Sequence, residues 1–96
     1  MNKLSFKLDV SVCEKTGKPR AAYLQVREGD AAETREVVEG RAFADYDADG
    51  LLIGIEFLAP CAVQVLDKIT QDEPESVREF FRSSSPRQLV TAGAEG

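Results

Sequence analysis

Residues 4–12 alternate without a break. Leu4, Phe6, Leu8, Val10 and Val12 are apolar, and Ser5, Lys7, Asp9 and Ser11 between them are polar. Side chains of a strand point to opposite faces with period two, so the pattern predicts a strand with one buried face. Residues 14–19 end in Gly17, Lys18 and Pro19 and read as a turn. A second strand is predicted over 21–28, with Ala22, Leu24 and Val26 on one side and Tyr23, Gln25 and Arg27 on the other. After Gly29-Asp30, residues 33–38 form a third strand so poor in apolar residues that an edge or exposed position is expected. Glu39-Gly40 leads to a fourth strand over 42–47. Asp47-Ala48-Asp49-Gly50 then predicts a hairpin, because Asp-Gly tolerates the left-handed backbone that tight hairpins need. The fifth strand, 51–58, is the most apolar. Leu51, Ile53, Ile55 and Phe57 are expected on one face, and Leu52, Gly54, Glu56 and Leu58 on the other.

Beyond Pro60 the period changes. Ala62, Val65, Leu66 and Ile69 recur at helical spacing, and Val77, Phe80 and Phe81 do so again after Pro74. Glu73 and Glu75 suit the start of that second helix, and Arg78 and Arg82 its end. The fold class expected is therefore α+β: an antiparallel β-meander of about five strands followed by one or two C-terminal helices. Residues 1–82 are expected to form a single domain and 83–96 a flexible tail. In that tail Arg87, Leu89 and Val90, with Arg82 just before it, are candidates to order on a partner.

Composition narrows the function more than it names it. A chain of 96 residues has room for one core. Its net charge of −5 and the lack of a basic stretch argue against nucleic acid and against an anionic membrane. No apolar run reaches the length of a membrane span, and the N-terminus alternates where a signal peptide would be continuously apolar. A cytoplasmic protein is expected. With no histidine, the commonest general base and zinc ligand is missing. Cys13 and Cys61 form no Cys-x-x-Cys pair.

Several segments taken in order resemble the bacterial domain-of-unknown-function family 2283. They are Ala22-Tyr23-Leu24-Gln25-Val26-Arg27-Glu28-Gly29, then Glu33-Thr34-Arg35-Glu36-Val37, then Asp45-Tyr46-Asp47-Ala48-Asp49-Gly50, then Ile53-Gly54-Ile55-Glu56-Phe57-Leu58. With the first hairpin the resemblance spans about residues 4–58. It implies a small β-rich domain and no particular activity. Some members lie beside small toxin-like partners, which implies an antitoxin-like or other protein-binding role. The chain departs from the family pattern in Arg20-Ala21-Ala22, where a more acidic lead-in is usual, and in its longer helical tail.

Four groups of residues carry candidate chemistry. Asp45, Asp47, Asp49, Gly50 and Glu56 satisfy the spacing of an EF-hand calcium loop. The flanks read as strands rather than helices, however, and an extended chain carries Glu56 away from Asp45. An acidic turn whose Asp side chains cap their own backbone is the alternative, and no metal site is expected. Glu56, Tyr23 and Arg27 combine a carboxylate, a phenol and a guanidinium, either for acid–base work or as a structural set on the sheet. Cys61 stands near a predicted helix start, which lowers a thiol pKa, whereas Cys13 has no such neighbour. Leu52 and Leu58, opposite the main apolar face, are candidate interface residues of a homodimer. The expectation is a non-catalytic domain without a cofactor that associates with itself or with a small protein partner. The alternative is a calcium-binding module.

Overall fold

The computed structural model describes residues 3–91. Five strands form one antiparallel sheet: β1 (Leu4–Val12), β2 (Pro19–Arg27), β3 (Glu33–Val38), β4 (Ala42–Tyr46) and β5 (Leu52–Phe57). A two-residue strand β6 (Cys61–Ala62) leads into helix α1 (Val63–Ile69), followed by α2 (Glu75–Ser84) and β7 (Val90–Thr91). The α+β class and the two C-terminal helices agree with the sequence reading.

The connectivity is not a simple meander. The strands lie in the order β1-β2-β5-β4-β3, so β5 rather than β3 pairs with β2. Apolar content explains the order. A central strand is covered by neighbours on both edges and by helices on a face, so the most apolar strand, β5, belongs there. β3 carries Glu33, Arg35 and Glu36 and lies at an edge, where charge discourages further pairing.

Both helices cover one face. Ala22, Leu24 and Val26 of β2, Ala42 and Ala44 of β4, and Ile55 and Phe57 of β5 pack with Leu66, Val77 and Phe81 of the helices. The register makes this one surface, because Leu24 and Ala44 both stand opposite Ile55, and Ala22 and Ala42 both stand opposite Phe57. Cross-strand neighbours share a face of the sheet.

Two expectations are corrected. One extra residue, Ile53, falls between the pairs Asp45–Gly54 and Tyr46–Leu52. Such a bulge changes the phase of the alternation. Leu52 therefore joins the core at 2% exposed, whereas Leu58 lies outside it at 44%. The predicted pairing of these two leucines on one exposed face does not form. The second correction concerns the tail. The expected boundary at residue 82 falls inside α2, and the chain then returns to the core. Leu89 is 3% exposed, and β7 pairs in parallel with β6. The backbone repeats the tie, since Cys61 N–H donates to the Leu89 carbonyl at 2.8 Å. Residues 83–91 are thus part of the fold, and the rest of the expected tail, 92–96, lies outside the described residues.

Candidate functional site

Opposite the helices the sheet carries a polar cluster centred on Asp45. Tyr23 on β2 reaches across β5 and donates its hydroxyl to Asp45 Oδ2 at 2.9 Å. Thr34 on β3 donates to Asp45 Oδ1 at 2.6 Å. The tyrosine ring lies over Gly54. A Cβ at that position would stand 2.6 Å from the Tyr23 hydroxyl and 2.7 Å from the Leu24 carbonyl, so only glycine fits beneath it. Burial and then Asp45 raise the Tyr23 pKa well above the ordinary phenol value. The phenol, held protonated, and the carboxylate that accepts two hydroxyls brace the sheet from β2 across β5 and β4 to β3.

The proposed trio of Glu56, Tyr23 and Arg27 does not assemble as a unit. Glu56 stands opposite Tyr23 on the neighbouring strand. Arg27 turns away: its Nη1 donates to the Leu52 carbonyl at 2.8 Å and its Nη2 to Glu73 Oε1 at 2.9 Å. It thereby ties the end of β2 to the link between the two helices. Arg27 is only 8% exposed, and a buried guanidinium demands such partners.

The acidic segment is a hairpin. Asp47 Oδ1 accepts the amides of Asp49 and Leu51, each at 2.9 Å, and Gly50 takes φ +84°. Its side chain caps its own backbone, as the turn reading expects. Asp45 belongs to β4 and Glu56 to β5, and Asp49 is exposed in the turn between them. Among the described residues no three Asp, Glu, Cys or His side chains converge as a metal ion needs.

The environments of the two cysteines reverse the sequence expectation. Cys61 sits in β6, and burial pushes its thiol pKa up against the weaker pull of Arg41. Cys13, in the turn after β1, has its thiol pKa lowered by hydrogen bonds, the largest from the Thr16 side chain. That turn geometry was not legible from residue spacing.

The described residues also form concavities. An open groove of about 330 Å³ is lined by Val37, Val65, Lys68 and Ile69. A shallow dent of about 70 Å³ between β1 and β5 holds Asp9, Ser11, Tyr23 and Glu56. The groove offers a single polar side chain, Lys68, and the dent, though polar, is far smaller than the several hundred Å³ of a small-molecule site.

The largest uncovered feature is β1. Leu8 stands opposite Leu24 and Val10 opposite Ala22, which places them on the core face. Phe6 joins them through a stack on Phe80. Yet Leu4, Phe6, Leu8, Val10 and Val12 remain 40, 41, 42, 40 and 51% exposed. Apart from the Phe6–Phe80 stack the helices leave these side chains uncovered, and among the described residues the outer edge of β1 has no neighbour in the sheet. The sequence identified this stripe as a buried face. The missing signal was cover: helices of seven and ten residues span too little to close five strands.

No helix among the described residues is long and apolar enough to cross a membrane. Neither the curated proteins nor the solved structures include a match to the chain. Residues 21–59, which hold nearly all of β2 and run through β5 and so bring Tyr23, Asp45 and Gly54 together, match the family described as Protein of unknown function (DUF2283), and over that stretch the resemblance noted in the sequence holds.

Proposed function

We propose that the chain is a non-catalytic protein-interaction domain that docks through the apolar face and open edge of β1. One observation carries this reading: five large apolar side chains, each at least 40% exposed, line one nine-residue edge strand. Water around such a stripe favours its burial against another surface. The strand also offers unpaired backbone groups along its edge, and it has neither a proline nor a dense run of charge to discourage pairing. The far face of the sheet argues against acid–base chemistry, because Tyr23, Thr34 and Asp45 satisfy one another.

An antitoxin-like pairing with a small toxin, implied by the family resemblance, is one form of such docking. The calcium-binding alternative gains no support, since Asp47 spends a carboxylate oxygen on its own turn and Asp45 is held by two hydroxyls. A photo-crosslinking amino acid at position 8 tests the docking reading in the producing cells. The expected result is a discrete protein adduct that is absent when the probe stands at exposed Glu36 on β3. Equal, diffuse labelling at both positions would refute it.

A further inference from the structure

We infer that the occupant of the β1 surface is β1 of a second copy of this chain, paired antiparallel about Leu8. The inference rests on the docking reading above and names the partner. The sequence of β1 is self-complementary about that residue. Antiparallel pairing with Leu8 opposite the partner's Leu8 sets Phe6 opposite the partner's Val10, and Leu4 opposite the partner's Val12. Every apolar side chain meets an apolar one. On the other face Ser5 meets the partner's Ser11, and Lys7 meets the partner's Asp9. By symmetry each of these contacts except the central Leu8 pair occurs twice.

Charge selects this register over its neighbours. Centring the axis one residue earlier sets Lys7 against the partner's Lys7, and one residue later sets Asp9 against the partner's Asp9. Opposite charges across a strand pair stabilise it, and like charges do the reverse. A foreign strand would place no such palindromic demand on β1. The other edge has it only over three residues, where centring β3 on Thr34 sets Glu33 against the partner's Arg35 with no apolar side chain among the pairs. Centring β3 between Thr34 and Arg35 sets Glu33 against the partner's Glu36, and centring it on Arg35 sets two guanidinium groups together.

The geometry is permissive. Directly opposed residues share a face, so Phe6, Leu8 and Val10 of both copies fall on the helix side of one continuous ten-stranded sheet, while the irregularities near the strand ends set Leu4 opposite Arg27 and Val12 opposite Pro19, on the other face. Residues 7–11 of β1 pair regularly with β2, and the two irregularities lie between Leu4 and Lys7 and between Ser11 and Val12. The charged pairs and the central leucines therefore fall on undistorted strand.

Sedimentation of the purified protein over a wide concentration range tests the inference. The expected mass is twice 10.5 kDa at high concentration, falling on dilution. Lys7→Asp and Asp9→Lys alone each raise the dissociation constant about tenfold or more, and the double swap restores it to within a few-fold. Both side chains are exposed, so circular dichroism should show every variant folded. A monomer at all concentrations overturns the inference, and so does a dimer indifferent to the single changes. If the protein is monomeric yet position 8 still crosslinks to a different protein, the self-pairing falls and the docking reading stands. If position 8 crosslinks to nothing, both fall.

Discussion

Phe6 of β1 lies flat against Phe80 of α2, the ring centroids 4.8 Å apart and the planes 12° from parallel. The stack joins the helix layer to the edge strand and fixes which face of β1 is apolar. It leaves the strand half covered, because the core itself is centred on β2, β5 and β4. Aromatic pairs of this kind contribute about 0.5–1.5 kcal/mol beyond the area they bury. A double-mutant cycle with Phe6→Ala and Phe80→Ala should return a coupling energy in that range. Denaturant unfolding in a Leu8→Lys background removes any contribution from association, and additive losses would show that the stack does not stabilise the fold.

Gly54 is predicted to be intolerant of the smallest side chain. A methyl group there meets both the Tyr23 hydroxyl and the Leu24 carbonyl at less than 3 Å. Gly54→Ala should cost about 2 kcal/mol or more, in the range of overpacked sites. Adding Tyr23→Ala should recover only part of the loss, since the backbone oxygen stays in place. Thermal melts of the two variants provide the check, and full recovery would mean that the tyrosine alone sets the constraint.

The same tyrosine gives the fold an alkaline limit. In the folded chain Tyr23 keeps its proton above the ordinary phenol pKa of 10.0. In the unfolded chain it ionises near that value. The resulting stabilisation is complete below pH 10.0, and it declines as the pH rises past the unfolded pKa toward the folded one. Tyr23→Phe should be less stable at neutral pH by about 1 kcal/mol, the worth of one neutral hydrogen bond. Its stability should also fall less steeply above pH 10.0 than that of the wild type. Parallel slopes in chemical denaturation at several alkaline pH values would contradict this.

Arg27 and Glu73 make the strongest polar tie between sheet and helices, with side chains only 10% and 14% exposed. Glu73→Ala leaves the guanidinium with the Leu52 carbonyl as its remaining partner here and should destabilise the fold by about 2–3 kcal/mol. Glu73→Gln keeps an acceptor and should lose less. Equal losses in urea unfolding would mean that charge alone matters.

The cysteines should differ in reactivity. Cys13 has a thiol of lowered pKa on a turn, whereas Cys61 is buried with a raised one. Iodoacetamide at neutral pH should alkylate Cys13 promptly and reach Cys61 only as the fold opens. Peptide mass mapping over a time course distinguishes this order from simultaneous labelling.

Much of this architecture was legible in residue patterning. Period-two alternation located the five strands, and the Asp-Gly turn located the hairpin between β4 and β5. What alternation could not reveal was phase and order. The bulge at Ile53 carries Leu52 into the core, and nothing in the composition of 51–58 marks an inserted residue. The placement of β5 beside β2 follows from the competition among strands for the centre, which a reading of successive hairpins overlooks. The Tyr23–Asp45 contact bridges strands that are not adjacent, with Gly54 as the gap that permits it, so spacing along the chain conceals it. The return of Leu89 to the core was hidden by the serine-rich, proline-containing segment before it, whose composition resembles a linker. The exposed stripe on β1 required a count of cover as well as of apolar positions.

Amide hydrogen exchange along β1, resolved residue by residue, bears most directly on whether that strand is an occupied edge. In an antiparallel ladder alternate amides point to opposite neighbours, so a strand paired only with β2 protects every second one. Self-association predicts protection of both sets across residues 7–11 at high protein concentration, with the outward set losing it on dilution and in Leu8→Lys. Protection that alternates along β1 and ignores concentration would contradict the account.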